Sequence, residues 1–160
     1  MTWAYFASEI ETAAKTSLDA DAAVGTSGTL AVITRELELI QPDGDNPETF
    51  TAIMPYVGIR CVGSGARLIG TRTLLIEHEL RMRVIVEGNT TSTAYILASK
   101  IAETCARVIR DQSASSSWLS SAHQVLIDDW SCTGPESDED NPFRFSCLAK
   151  VSIGVIYPEA

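Results

Sequence analysis

The sequence predicts an α+β fold in which a mostly antiparallel β-sheet is packed by two helices, giving a two-layer sandwich. Two observations point there. Apolar residues recur at three- and four-residue intervals in two separate stretches, 3–18 and 97–109, which is the spacing of one helical face. Residues 74–87 and 143–157 instead alternate apolar and polar side chains, the period of a strand with one buried face. The resulting order is helix, strand, strand, long strand, helix, strand, strand. With no internal repeat or linker to divide them, the 160 residues are read as a single domain, 1–160.

Each element follows from local pattern. Thr2 to Leu18 places Trp3, Phe6, Ile10, Ala13, Ala14 and Leu18 along one side of an amphipathic helix; Asp19 to Ala23 could extend it before Gly25, Ser27 and Gly28 break the pattern. Leu30 to Ile40 opens on β-branched residues and then alternates, so a strand fits it better than a helix, although Glu36 and Leu37 suit either. Gln41 to Pro47 is dense in turn formers and makes a loop. After Pro55, Tyr56 to Val62 is a short strand that Gly63-Ser64-Gly65 ends in a turn.

In the next strand Leu74, Ile76, His78, Leu80, Met82, Val84 and Val86 share an apolar face, opposite Leu75, Glu77, Glu79, Arg81, Arg83, Ile85 and Glu87 on a mainly charged one. At about 3.3 Å per residue it spans roughly 45 Å, more than a small core covers, so part of it projects or bends. Gly88 and Asn89 turn the chain, and Thr91 or Ser92 caps a helix from Thr93 to about Gln112. Its buried stripe is Leu97, Ile101, Cys105, Val108 and Ile109, with Lys100, Glu103, Arg107 and Arg110 largely off it. Ser113 to Ser121 ends this helix, and Trp118 and Leu119 pin the connection to the core.

Gln124 to Cys132 reads as a strand with Leu126 and Trp130 on one side and Val125 and Ile127 on the other, followed by an acidic, solvated loop from Pro135 to Pro142. The last strand sets Phe143, Phe145, Cys147, Ala149, Val151, Ile153, Val155 and Tyr157 against Arg144, Ser146, Lys150 and Ser152.

Composition narrows the function classes. A chain with 45% hydrophobic and 21% charged residues falls in the globular range, which argues against disorder and fibrous repeats. Twelve Lys and Arg against twenty-one Asp and Glu give a net charge of -9, an averaged field that repels phosphate and argues against sequence-independent DNA binding. A protein that encloses DNA remains compatible with it, because a polyanion slides best through a channel that does not grip it. Cys61, Cys105, Cys132 and Cys147 form no C-x-x-C pair and read as buried reduced thiols. Met1 to Glu11 lacks a basic start followed by an apolar stretch, and no window approaches the roughly 18 apolar residues of a membrane span, so synthesis and folding in a reducing cytoplasm are expected.

The search for chemistry assigns no catalytic, cofactor-binding or metal-binding residue. Of the two histidines, His78 lies on an apolar strand face between Ile76 and Leu80 and reads as a packed side chain, and His123 as an exposed loop residue. Asp128 and Asp129, adjacent in a strand, point to opposite faces and cannot share a metal or proton. The acidic stretches Asp43 to Glu48 and Glu136 to Asp140 lack the ligand spacing of a calcium loop. Gly63-Ser64-Gly65 and Gly70 lack the Lys and the following helix of a phosphate cradle. Asn89-Thr90-Thr91 matches a glycosylation acceptor, which carries no weight without export signals.

Long two-sided strands joined by acidic loops expose sheet edges that must be paired, covered or used. Over about the last hundred residues the order of elements resembles the tail terminator family of tailed bacteriophages. Met54-Pro55-Tyr56-Val57-Gly58-Ile59 is similar to that family's proline-led strand, and Glu77 to Val86 to its central alternating strand. The helix Ala94 to Ile109, the closing strand Phe143 to Tyr157 and the N-terminal helix also have counterparts.

The resemblance implies a non-enzymatic, ring-forming virion subunit without cofactors. Its usual state is a homo-oligomeric hexamer at the head-proximal end of the tail tube, halting tube polymerisation and docking to the head connector. Its implied partners are further copies of itself, the tail tube protein and the head-to-tail connector, with DNA passing through an acidic lumen and no membrane involved. The implied location is the virion neck, after assembly in the host cytoplasm. The stretch Asp19 to Ile53 is longer than the family pattern and keeps open a head-to-tail connector or another neck protein. A reading from a different class is a small ligand-binding domain, or a cysteine-dependent enzyme using Cys61 or Cys147 with His78.

Overall fold

The computed structural model describes residues 3–21, 24, 32–35, 55–70, 73–88, 91–115, 117–119, 124–137, 139 and 142–158. Along the chain they form α1 (Trp3–Ala20), β1 (Val32–Arg35), β2 (Tyr56–Leu68), β3 (Thr73–Glu87), α2 (Thr91–Ser113), β4 (Gln124–Ser137) and β5 (Arg144–Pro158). The strands make one five-stranded sheet in the order β1-β2-β3-β5-β4. β1 runs parallel to β2, and every other pairing is antiparallel. Both helices pack on one face, so the architecture is the expected α+β sandwich of two layers. Of the expected run 30–40 only Val32–Arg35 is described as strand, and the expected loop 41–47 lies outside the described residues.

The core is built from the two periodicities. On α1, Ile10, Ala14 and Leu18 recur every fourth residue and are fully buried. The helix stops at Ala20, where the Asp21 N–H donates to the Leu18 carbonyl and the Asp21 carboxylate accepts from the Val24 N–H. On α2, Ala94, Ala98, Ala102 and Ala106 join Ile101, Cys105, Val108 and Ile109 in the buried face. These small side chains set the helix close to the sheet, and the exposed Lys100, Glu103, Arg107 and Arg110 fall outside the stripe as expected. Past the helix, the Trp118 indole N–H donates to Ser17 of α1 at 2.9 Å and Leu119 is buried, so this connection is fastened to the core.

From the sheet, β3 contributes Ile76, His78, Leu80, Met82, Val84 and Val86, and β5 contributes Phe145, Cys147, Ala149, Val151, Ile153 and Val155. The far end of the β2–β3 hairpin does project: Ala66, Arg67, Leu68 and Ile69 are all exposed, and the turn closes with the Ile69 N–H on the Thr73 carbonyl.

Two expected boundaries are overturned, both by bulges. Gly63-Ser64-Gly65 does not end β2, which continues to Leu68; the pairing with β3 shifts between Gly63 and Gly65, leaving an extra residue in one strand. Glycine there signals a bulge instead of a turn. Likewise β4 does not stop at Cys132. A shift between Thr133 and Glu136 accommodates Gly134 and Pro135, and Glu136 and Ser137 then pair with Ser146 and Phe145. Gly134 takes φ +103°, and a Cβ there would lie 2.9 Å from the Ser146 carbonyl oxygen, so glycine alone fits comfortably. Pro135, lacking an N–H, sits where a proline costs least, at a bulge of an outermost strand.

Candidate functional site

Among the described residues no helix lies over the second face of the sheet. Every other residue of β2, β3 and β5 points there, and six of the chain's twelve Lys and Arg residues do so: Arg60, Arg67, Arg81, Arg83, Arg144 and Lys150. Arg60, Arg81 and Lys150 stand in register across three adjacent strands, since Arg60 pairs with Arg81 and Arg81 with Lys150. Like charges directly opposite one another destabilise a sheet. One carboxylate relieves the strain: Glu79 takes Arg81 at 2.7 Å and Lys150 at 3.9 Å. Arg144 pairs with Glu87 at 3.1 Å and Arg67 with Glu77 at 3.8 Å. Arg60 and Arg83, both exposed, have no carboxylate within 4.0 Å among the described residues.

Such half-exposed pairs contribute at most about 1 kcal/mol each, so stability does not explain the row. Beside it lies a depression of about 380 Å³ between β3, β5 and the β4 bulge, lined by Arg83, Arg144, Glu136 and the Thr133 and Ser146 hydroxyls over Ile85 and Leu148. Two guanidinium groups and two hydroxyls beside an apolar floor suit a carboxylate-bearing segment carrying some apolar surface.

The sheet margins differ from one another. At the β2 side the short β1 covers only Tyr56–Ile59, and α1 takes over beyond it: the buried Glu11 carboxylate accepts the Cys61 backbone N–H at 2.9 Å. At the opposite side β4, 14 residues long, is outermost in the sheet. Bulges at Asp128 and at Gly134–Pro135 interrupt it, leaving Asp129 to Thr133 as a short regular stretch with no further strand beside it among the described residues. Leu126 and Trp130 on β4 are exposed, Trp130 in a groove against Lys100, Glu103 and Arg107 of α2. A second apolar patch, Tyr95, Ile96 and Phe143, lies where α2 and β5 begin, with Tyr95 edge-on to Phe145.

The residues singled out for chemistry are not brought into a reactive constellation. His78 is buried in the helix-facing layer, and desolvation lowers its pKa. Cys61 lies diagonally across from it, because Gly63 is the partner of His78 and Cys61 that of Leu80. Burial, with the Glu11 carboxylate nearby, pushes the Cys61 thiol up to about 12, and burial does the same for Cys105. Burial also raises the Cys147 thiol. These groups are thiols, not thiolates, at neutral pH. The expectation that all four cysteines are buried fails at Cys132, which is exposed because its strand is outermost.

The Asp129 carboxylate caps its neighbour's Trp130 N–H at the first bulge; the Asp128 side chain and His123 lie outside the described residues. So does the stretch Asp43 to Glu48, while Glu136 is drawn into β4 and Glu139 is exposed. Among the described residues no group of three or more His, Cys, Asp or Glu could hold a metal ion, and no helix is long and apolar enough to cross a membrane.

The cation row was half visible in the sequence. Alternation places Arg81, Arg83, Arg144 and Lys150 away from the apolar faces, but their alignment with Arg60 depends on pairing register, which no local pattern specifies. No known family model matches the chain, and no curated protein sequence matches it.

Proposed function

We propose that this chain is a structural, non-catalytic virion protein of a tailed phage, one subunit of a ring at the head-proximal end of the tail tube. There it stops tube polymerisation and presents a docking surface to the head connector. The observation that supports this reading best is a sheet face over which no described helix lies, bounded by a long outermost strand and bearing ordered rows of charge that add little to the fold's own stability. Such a surface is explained by contacts with other molecules. The element order also accords with the terminator resemblance, and a net charge of -9 suits a ring through which DNA passes without adhering.

The buried, protonated state of Cys61 and Cys147 disfavours the alternative of a cysteine nucleophile working with His78. Tube polymerisation tests the assembly reading directly. The tube subunit of the same virion is polymerised with and without this protein, and tube length is followed by light scattering. The reading expects growth to halt at substoichiometric amounts of the protein; unaltered growth at equimolar amounts contradicts it.

A further inference from the structure

We propose that the cation row on this sheet face receives the acidic segment Glu136 to Asp140, which runs from the end of β4 into its connection with β5, of a second copy of this chain. The inference rests on the assembly reading above and names the contact that would join its subunits. Its first support is charge. In a protein of net charge -9, copies repel one another, so a stable contact needs local complementarity strong enough to reverse the average. The outer face of β2, β3 and β5 concentrates Arg60, Arg81, Arg83, Arg144 and Lys150, and Arg60 and Arg83 have no carboxylate within 4.0 Å among the described residues. The segment Glu136-Ser137-Asp138-Glu139-Asp140 is the densest run of carboxylates in the sequence, and Glu136, Ser137 and Glu139 are exposed.

Placement is the second support. The acidic segment springs from β4, at one margin of the sheet, whereas the cation row ends at Arg60 on β2, toward the other. Within one copy the acidic segment borders the β5 end of the row, where Glu136 shares the depression with Arg83 and Arg144. Arg60 at the β2 end is left to the segment of another copy, a head-to-tail contact of the kind that closes into a ring when the rotation per copy is right. Apolar contact is available as well, from Ile85 and Leu148 on the floor of the 380 Å³ depression beside Arg83. A further copy is favoured over DNA as occupant, because a cationic face left open inside a DNA path would grip the polyanion that has to move through it.

The test uses the full chain in sedimentation velocity across a range of salt concentrations. The wild type is expected to self-associate at low salt and to lose that association as salt rises. R60E/R83E is expected to weaken association by about tenfold or more, and D138K/E139K/D140K by a similar factor. All five reversals combined on one chain are expected to restore it, a rescue that a merely misfolded variant would not show; an unchanged denaturant midpoint for each variant checks the fold.

Association indifferent to R60E/R83E, or lost and not restored by the combined reversal, overturns the contact while leaving tube capping to decide the assembly reading on its own. A wild type that stays monomeric at low salt also overturns the contact. If a short duplex DNA is retained by that monomer and released by R60E/R83E, the face belongs to a polyanion instead of a second copy.

Discussion

At the scale of single residues, burial makes the polar groups of the core measurable. Desolvation holds the His78 pKa below its ordinary 6.5, so the unfolded chain takes up a proton that the folded chain resists. Stability contributed by the neutral imidazole is therefore complete above about pH 6.5 and declines as pH falls through that value toward the folded pKa. Denaturant midpoints at neutral and mildly acidic pH are expected to show a drop on acidification that is smaller in His78→Leu; an equal drop would mean that other groups account for it. The cysteines give a second residue-level expectation. Cys132 alone among the four is exposed, so a thiol reagent should modify one cysteine in the native protein, identified by peptide mapping as Cys132, and reach Cys61, Cys105 and Cys147 only on unfolding. Partial desolvation, with the Glu103 carboxylate nearby, raises the Cys132 pKa as well and makes even that reaction slower than for a free thiol.

At the scale of elements, the margins of the sheet show how the strands are kept from pairing indiscriminately. Glu11 reaches from α1 to take the Cys61 N–H that no described strand receives. Glu11→Ala leaves a buried donor unsatisfied and is expected to cost about 1–3 kcal/mol, whereas Glu11→Gln keeps an acceptor oxygen and costs less. Equilibrium unfolding of the two variants separates them, and equal losses would assign Glu11 no such role.

Glu11 also marks the limit of what was legible in the sequence. The apolar faces of β3, β5 and both helices could be read directly, because a period of two or of 3.6 survives wherever a single face is buried. The bulges could not. Gly63-Ser64-Gly65 and Gly134-Pro135 carry turn-forming residues, and only the neighbouring strands, which continue past them, convert a turn into a bulge. No local pattern marks Glu11 as a buried acceptor, because its partner lies fifty positions away in sequence. The candidate site was legible only as a polar face, since its row of cations exists through register alone.

At the scale of the whole molecule, the balance of covered and uncovered surface is uneven. One face of the sheet holds the main core beneath two helices, and the other holds charged rows, a depression lined by Arg83 and Arg144, and exposed Leu126. The projecting β2–β3 tip adds Leu68 and Ile69, and the patch of Tyr95, Ile96 and Phe143 adds apolar area at the end where α2 begins. Scattered apolar exposure is ordinary, but these groups lie at separate extremities, where a subunit in a ring has neighbours on either flank and partners above and below. Electron microscopy of the purified protein, alone at low salt and mixed with tail tubes, tests the central claim most directly. Rings with a central hole, found free or seated on one end of each tube, are the predicted result. Compact solitary particles and bare tube ends at saturating protein would contradict it.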